Sequence, residues 1–319
     1  MTAAADRPNV RTEATGGPRG GVEEQRVEAG GLSFTLTCAG PPDAPAVLLV
    51  GGFPDGRRTW HAMLARFAER GPFRACAADP PGLGDASRLS EAPSAPALAH
   101  AMAALCRRLD AVMYVGHDWG GVAGWALAAI EPDAVARVAI VNAPHPRAYR
   151  DVALRNPIQL ARGAYMTALA APLSPRVLGL ASQWVPRRLM ARWAATSEDP
   201  DDRARFADDV KATVGSPDQM GGAATLYRAA LTSPLRRDGL GGFGPVPSSL
   251  PFLLVHGAPD PVFEQSTMDR SIRRYAPHGE YVRIDRGGHF PHRAAPGRVA
   301  EALAAFAAAQ TAPNSGPRR

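Results

Sequence analysis

The sequence lacks the features of membrane, secreted and nucleic-acid-binding proteins. No stretch approaches the roughly 18 consecutive apolar residues of a membrane-spanning helix, and Met1 to Arg19 contain no apolar segment typical of a signal peptide. We therefore expect a cytoplasmic protein that does not enter a membrane. Lysine is almost absent, with Lys211 as the single one, and the arginines behind the net charge of +6 are scattered singly or in pairs. Because nucleic-acid binding requires a basic stripe, we expect no nucleic-acid partner.

Cysteine is scarce as well. Cys38, Cys76 and Cys106 are too few for a disulfide framework and show no Cys-x-x-Cys spacing, so we expect all three to be small core residues. The eight histidines form neither an i, i+4 pair on a predicted helix nor a cluster with cysteine. We therefore predict no metal site and no cofactor.

What the chain does contain is an alternation of short apolar runs with helical patterns. Seven runs are typical of strands: Leu32–Cys38, Ala46–Val50, Arg74–Ala78, Ala111–Val115, Ala136–Val141, Phe252–His256 and Tyr281–Ile284. Helical stretches lie between or after them, notably Ala97–Leu109, Gly121–Ile130, Glu264–Tyr275 and Val299–Gln310. This alternation predicts a mostly parallel sheet covered by helices on both faces.

The alternation stops between residues 144 and 246, where helix-like segments replace the strands. We predict that this insert is a helical cap over the carboxyl ends of the strands. The predicted core consists of residues 23–143 and 247–310. Residues 1–22 and 311–319 are rich in Gly, Pro, Ala and charge, and we expect both to be disordered tails.

The strand at 111–115 runs into Gly116-His117-Asp118-Trp119-Gly120, which a predicted helix follows. This pattern indicates a nucleophile elbow with Asp118 at its tip. A turn this tight needs small residues two before and two after the tip, and the two glycines supply them. Taken alone, Asp118 fits equally well as the N-cap of the helix.

Two later residues favour a nucleophile elbow over a helix N-cap as the role of Asp118. Asp260 follows the strand Phe252–His256, and His289 follows the strand Tyr281–Ile284. The order nucleophile, acid, histidine, each after a parallel strand, matches the order of α/β-hydrolase triads. We therefore expect His289 to act as the base and Asp260 to orient it. Either residue alone would be read as a turn or loop residue.

An oxyanion hole is expected from the loop after the strand Ala46–Val50, which reads Gly51-Gly52-Phe53-Pro54-Asp55-Gly56. Glycine there lets the backbone approach the nucleophile closely. The backbone N–H groups of Phe53 and Trp119 are the predicted donors. The loop at residues 79–87 is expected to be structural.

On these motifs the chain resembles the α/β-hydrolases of the epoxide hydrolase and haloalkane dehalogenase group, most closely the soluble epoxide hydrolases, over about residues 24–308. The family's elbow, Gly-His-Asp-Trp-Gly-Gly, is present unchanged, and residues 79–87 are a close version of its Asp-x-x-Gly-x-Gly-x-Ser loop. Its His-Gly-x-Pro motif appears with Gly51 in place of histidine. The resemblance implies an α/β-hydrolase fold, with a mostly parallel eight-stranded sheet and a helical cap inserted after strand 6.

An aspartate nucleophile restricts the reaction. Its attack on an sp3 carbon bearing an oxygen or halide leaving group gives an ester, whereas attack on an ester would give an anhydride with no advantage. Water activated by His289 would then hydrolyse the ester formed on Asp118. The oxyanion would form on the Asp118 carboxyl group, facing the N–H groups of Phe53 and Trp119.

The resemblance also implies two cap tyrosines that hydrogen-bond the epoxide oxygen. The segment Asn156 to Tyr165 is similar to the family's Asn-Pro-x-Gln…Ser-Trp-Tyr, with Ala164 in place of tryptophan, and places Tyr165 at the first position. The segment around Tyr227-Arg228 is similar to Asn-Tyr-Tyr-Arg and places Tyr227 at the second. The alternative is that both rings are core residues of cap helices.

We therefore expect an epoxide hydrolase that converts a small-molecule epoxide and water to a vicinal diol, as a monomer or homodimer. Two substrate classes stay open, a biosynthetic, polyketide-type intermediate and xenobiotic epoxides. His117 and Trp60 are expected to line or support the site, and His145 and His292 to be loop or surface residues.

Haloalkane dehalogenase is the alternative, with Trp119 as one halide donor. Phe53 occupies the position of the family's second donor, asparagine, and Trp184 or Trp193 would have to replace it. A fluoroacetate dehalogenase is disfavoured because Trp119 stands where that family has arginine. A serine esterase is disfavoured because the elbow has no serine, and a non-catalytic module because all three triad positions are occupied.

Overall fold

The computed structural model describes residues 22–69, 73–171, 200–232 and 242–308. The strands are β1 (Val22–Ala29), β2 (Leu32–Ala39), β3 (Ala46–Val50), β4 (Arg74–Ala78), β5 (Ala111–His117), β6 (Val138–Val141), β7 (Phe252–Ala258) and β8 (Glu280–Asp285). The helices are α1 (His61–Glu69), α2 (Ala95–Leu109), α3 (Trp119–Ile130), α4 (Pro146–Ala153), α5 (Pro157–Arg162), α6 (Ala164–Ala170), α7 (Pro200–Val214), α8 (Pro217–Thr232), α9 (Gln265–Tyr275), α10 (Pro291–Ala294) and α11 (Pro296–Ala308). Residues 1–21 and 311–319 of the predicted tails, residues 309–310 of the predicted core, and Trp184 and Trp193 lie outside the described residues.

The strands form one eight-stranded sheet in the order β1-β2-β4-β3-β5-β6-β7-β8. β1 and β2 pair antiparallel, as do β2 and β4, and the remaining neighbours are parallel. Every residue of β3, β6 and β7 is buried, which explains their unbroken apolar sequences, because helices cover both faces of the sheet. The predicted fold is confirmed.

The sequence patterns did not identify β1. Its residues 23–26 read Glu-Glu-Gln-Arg, which are side chains with low strand preference. The strand forms because all eight of its residues pair with β2 at the edge of the sheet. Tertiary pairing therefore outweighs local preference here.

Between β6 and β7 the described residues form helices α4 to α8 and no strand. We call residues 144–246 the insert. The boundaries predicted for a cap stay a prediction. None of the described helices combines the length and apolar character that crossing a bilayer demands.

Cys38 and Cys76 are buried core residues as predicted, but they also form a disulfide, which the cysteine spacing did not predict. They lie directly opposite each other on the antiparallel strands β2 and β4, although 38 positions separate them in sequence. That register is not visible from the spacing of the cysteines. Cys106 is free and buried, as expected. Disulfides are rare in reducing compartments, and the cytoplasmic location stays a prediction.

Replacing Cys38 and Cys76 together by serine should lower the free energy of unfolding by about 2–4 kcal/mol, because the cross-link restricts the unfolded chain. Urea denaturation of the variant beside the unreduced and reduced wild type measures the loss. The reduced wild type should match the variant, and Cys106→Ala serves as the control. Equal midpoints for the reduced and unreduced wild type would contradict the disulfide.

Candidate active site

Asp118 occupies a strained turn between β5 and α3, with a φ of +50°. The turn is possible because of the glycines on either side: a Cβ on Gly116 would lie 2.2 Å from the Gly120 carbonyl oxygen, and one on Gly120 would lie 2.3 Å from that of Val50. Although Asp118 precedes the helix, its side chain makes no capping hydrogen bond. The geometry is therefore that of an elbow, and the side chain is available for other contacts.

Two backbone N–H groups face the Asp118 carboxylate. The Phe53 N–H donates to Oδ1 over 2.8 Å, and the Trp119 N–H is also hydrogen-bonded to the carboxylate. The loop reaches this position because residue 52 is glycine, where a Cβ would lie 2.5 Å from Oδ1. Burial raises the pKa of Asp118, while His289 and the two N–H groups act in the opposite direction.

His289 lies between the two predicted carboxylates. Its Nδ1 is 3.1 Å from Oδ2 of Asp260, and its Nε2 is 3.8 Å from Oδ2 of Asp118. Burial opposes the charged imidazolium, but Asp260 and then Asp118 outweigh it and raise the pKa of His289 above its ordinary value. The pKa of Asp260 is lowered despite its burial, because His289 and several hydrogen-bond donors stabilise the carboxylate.

Asn142, which the sequence analysis did not single out, holds Asp260 in place. Its amide Nδ2 lies 2.7 Å from Oδ2 of Asp260, 3.0 Å from the Gly288 carbonyl and 3.2 Å from the Gly257 carbonyl, and its Oδ1 accepts the Gly257 N–H over 2.8 Å. One side chain thus connects the loop that carries the acid to the loop that carries the histidine. Its signal was present, because Asn142 directly follows β6 as a polar residue at a strand's carboxyl end.

A cavity of about 680 Å³ opens beside Asp118. Among the described residues that line it, Asp118 is the sole carboxylic acid, and most of the others are apolar. Arg147 and Arg150 of α4 also line it. Its rim includes three exposed leucines, Leu154 (77% exposed), Leu160 (61%) and Leu231 (44%).

The two predicted tyrosines come from the insert and lie together near Asp118. Tyr227 on α8 is buried, with its ring 5.2 Å from that of Trp119 and 5.4 Å from that of Phe53. The Tyr165 ring on α6 lies 6.0 Å from it, and the two side chains are hydrogen-bonded. Burial raises the pKa of both phenols well above the ordinary value, so both hydroxyls stay protonated and can donate.

Behind Asp118, Asp260 and His289 lies a buried aromatic cluster. The His117 Nε2–H donates to the His289 carbonyl over 3.0 Å, which supports the backbone of His289. The Trp60 ring packs against that of His292 with ring centroids 4.4 Å apart. Neither His117 nor Trp60 is among the described residues that line the cavity, so both are placed as supporting residues.

The prediction that His145 and His292 are loop or surface residues is wrong for His292, which is buried on α10, whereas His145 lies in a loop as predicted but is also buried. His292 has its Nε2 2.5 Å from the Thr59 hydroxyl. His145 accepts the Arg147 N–H at the start of α4 and stacks on Tyr275 at 3.6 Å. Their partners are distant in sequence or on packed helices, which local loop composition does not reveal.

Replacing Asn142 by glycine should lower the free energy of unfolding by about 1–3 kcal/mol, because buried groups around Asp260 lose their partner. Glycine tolerates the φ of +43° at this position, so the effect reports on the lost amide. Chemical denaturation measures it, with Asp110→Gly as the control at an exposed position with a φ of +49°. Equal losses in the two variants would contradict the role assigned to the amide.

Comparisons with known proteins agree with this architecture. A family model described as alpha/beta hydrolase fold matches residues 45–294. Epoxide hydrolase 3 of Xenopus tropicalis is 29% identical over 276 residues, which are 84% of this chain and 71% of the relative. Epoxide hydrolase A of Mycobacterium tuberculosis is 28% identical over 324 residues, with coverages of 90% and 98%. The crystal structure of a Bacillus megaterium epoxide hydrolase with an inhibitor superposes with a TM-score of 0.73 at 21% identity, with coverages of 89% and 99%. The chain therefore belongs to the α/β-hydrolase family and is similar to its epoxide hydrolases.

Proposed function

We propose that this protein is an epoxide hydrolase that forms a vicinal diol through a covalent ester on Asp118. The observation that carries the proposal is an elbow carboxylate and a protonated tyrosine, Tyr227, in the lining of the same apolar cavity, with Tyr165 hydrogen-bonded to Tyr227. A carboxylate nucleophile acts on a carbon with a leaving group, and the phenols supply the proton that an epoxide oxygen requires. The relatives named epoxide hydrolases support this assignment.

In the first step, one oxygen of Asp118 attacks an epoxide carbon and the carbon–oxygen bond of the ring breaks. The released oxygen takes a proton from Tyr165 or Tyr227, giving a hydroxyalkyl ester of Asp118. Their raised pKa values keep both phenols protonated at neutral pH, so they act as donors before attack. We propose that the insert is a cap, because residues of its helices α6 and α8, Tyr227 among them, line the cavity.

In the second step, His289 removes a proton from water, and the hydroxide attacks the ester carbonyl. The distance of 3.8 Å between His289 Nε2 and Asp118 Oδ2 exceeds a direct hydrogen bond and suits an intervening water molecule. The oxyanion on the carboxyl carbon is stabilised by the N–H groups of Phe53 and Trp119. Collapse breaks the bond between the carboxyl carbon and the alkoxide, and the alkoxide takes the proton held by His289 to give the diol, Asp260 having stabilised the imidazolium form until then. The proton left on the Asp118 carboxyl group returns to the tyrosinate formed in the first step, which restores Asp118 and the tyrosine.

Haloalkane dehalogenation is the second candidate, because the same nucleophile and base would serve it. The indole of Trp119 lies at the cavity but is hydrogen-bonded to Tyr227. Phe53 offers no side-chain donor where a second halide donor is expected. The arrangement therefore favours a leaving oxygen over a leaving halide.

His289→Gln should accumulate the ester, because attack at carbon does not need the base whereas hydrolysis does. Intact mass spectrometry after addition of styrene oxide should show an increment equal to the whole epoxide, located on Asp118 by peptide mapping. Asp118→Ala is the control and should show none. A folded His289→Gln variant that never gains this mass would contradict the covalent scheme.

Tyr227→Phe should lower kcat for styrene oxide by about 100-fold or more, because the leaving oxygen loses a proton donor. Diol formation is measured beside halide release from matched bromo- and chloroalkanes. Tyr149→Phe is the control, since Tyr149 also lines the cavity but its hydroxyl contacts Met166. Halide release that is insensitive to Tyr227→Phe, with no diol formed, would instead assign the protein as a dehalogenase.

A further inference from the structure

Arg293 is a buried arginine that the proposed mechanism does not use, and three carboxylates surround it. Its Nη1 lies 2.9 Å from Oδ2 of Asp209 and 3.2 Å from Oδ2 of Asp55, and its Nη2 lies 3.0 Å from Oδ1 of Asp202. The Arg293 side chain is only 6% exposed and that of Asp55 is completely buried. We call these four residues the Arg293 cluster.

The members of the Arg293 cluster belong to three separate parts of the candidate site. Asp55 lies two residues after Phe53, in the loop that carries an N–H donor to Asp118. Arg293 lies on α10, four residues after His289. Asp202 and Asp209 lie on α7 of the insert, and two residues separate α7 from α8, which carries Tyr227. The Arg293 guanidinium therefore connects the Phe53 loop, the loop that carries His289 and the insert.

A series of contacts with aromatic rings leads from the same guanidinium to His289. Arg293 lies over the ring of Phe206 on α7, with the guanidinium carbon 4.7 Å from the ring centroid. Phe206 packs edge-on against Phe290 at 5.0 Å, and Phe290 packs against the His289 ring at 4.9 Å. A shift of α7 would therefore displace the imidazole of His289 as well as the loop that carries Asp55.

We propose that Arg293 is a positioning residue, which holds the Phe53 loop and the insert helix α7 in register with the loop that carries His289. The proposal rests on the proposed function, because it assigns what Arg293 does for that reaction. Arg293 touches neither the nucleophile nor the cavity in the described structure, so its effect on turnover is transmitted through Asp55, Phe206 and the insert.

The charges of the Arg293 cluster give this role a pH dependence. One guanidinium faces three carboxylates, so ionisation of all three leaves an excess of negative charge in a buried place, which is unfavourable. Burial raises the pKa of Asp55 to about 7, although Arg293 and Thr59 act in the opposite direction. Burial also raises the pKa of Asp209.

Among the described residues, six other charged or titratable groups lie around the Arg293 cluster. They are Arg57 and Arg58 just before α1, His61 at the start of α1, and the buried histidines His117, His289 and His292. Burial lowers the pKa values of His61, His117 and His292, so these three add no positive charge at neutral pH. Asp55 therefore stays protonated in weakly acidic solution and loses its proton as the pH rises through about 7.

The sign of the effect follows from this shift. A carboxyl group whose pKa is higher in the folded state than its ordinary 3.8 stabilises the fold at low pH, and this contribution is lost progressively as the pH rises from 3.8 to about 7. Above that pH, repulsion between Asp55 and Asp209 of α7 should loosen the contact of the insert with the Phe53 loop. Turnover should then decline on the alkaline side.

The experiment compares Arg293→Gln and Arg293→Lys with the wild type, using kcat, KM and pH profiles on styrene oxide. Arg293→Gln should lower kcat about tenfold or more, because small displacements of reacting groups carry large rate penalties, and Arg293→Lys should recover most of the loss. The control is Arg88→Gln. Arg88 also joins the core to the insert, through Asp218 at 2.7 Å, but at an exposed position; its kcat should stay at the wild-type level.

A second measurement does not depend on turnover. Hydrogen–deuterium exchange should rise in residues 52–57 and 200–214 of Arg293→Gln, and should stay at the wild-type level there in Arg88→Gln. Asp55→Asn removes the titrating charge at similar shape, so it should abolish the alkaline decline of kcat. The melting temperature of the wild type should also fall relative to that of Asp55→Asn as the pH rises from 3.8 to about 7, and the difference should stay constant above that pH.

The outcomes separate this proposal from the proposed function. A folded Arg293→Gln variant with wild-type kcat, KM and exchange would overturn the positioning role. If Arg293→Gln does not fold, Asp55→Asn decides, and an unchanged alkaline decline would overturn the proposal. If the wild type hydrolyses no epoxide, the proposed function fails, while exchange and melting temperatures still decide whether the Arg293 cluster holds the two loops and the insert together.

Discussion

The candidate site is organised around a buried negative charge on Asp118. A carboxylate taken out of water is strongly disfavoured unless donors and positive charge replace its hydration. Here the N–H groups of Phe53 and Trp119 and the imidazole of His289 provide that replacement. Because two of these are backbone groups, the loop after β3 and the first turn of α3 must approach closely, and this proximity accounts for the glycines at 52, 116 and 120. The tight turns of the sequence are thus consequences of one electrostatic requirement.

The same requirement extends outward in layers. His289 needs Asp260 to stabilise its charged form, Asp260 needs the amide of Asn142, and Asn142 in turn bonds the backbone of both loops. Each of these residues thus provides the hydrogen-bond partner that a buried polar group nearer to Asp118 requires. The Arg293 cluster adds a further layer, in which charge is incompletely balanced and the insert takes part.

The parts of the structure that could be predicted from the sequence are those marked by a pattern of neighbouring residues in the chain. The placements of Asp118, Asp260 and His289 could be predicted because each lies within a few residues of the end of a predicted strand, and their order along the chain matches that of α/β-hydrolase triads. Strand β1, the Cys38–Cys76 pair and the burial of His145 and His292 could not be, because each depends on partners brought together by register or packing. Asn142 stands between these cases: its position after β6 carried the same signal as Asp260, but its hydrogen bonds exist only in three dimensions. Tyr165 and Tyr227 were found through a family resemblance, since nothing local to α6 or α8 indicates which face meets the cavity.

The exposed leucines at the cavity rim have a consequence for the exchange of reactant and product. Leu154, Leu160 and Leu231 present an apolar entrance to water. An epoxide is less polar than the diol formed from it, so partitioning onto such an entrance enriches the reactant and releases the product, which keeps its two hydroxyls hydrated in bulk solvent. For the proposed reaction, the apolar rim would favour entry of the epoxide over re-entry of the diol. The diol would therefore occupy little of the cavity even as it accumulates.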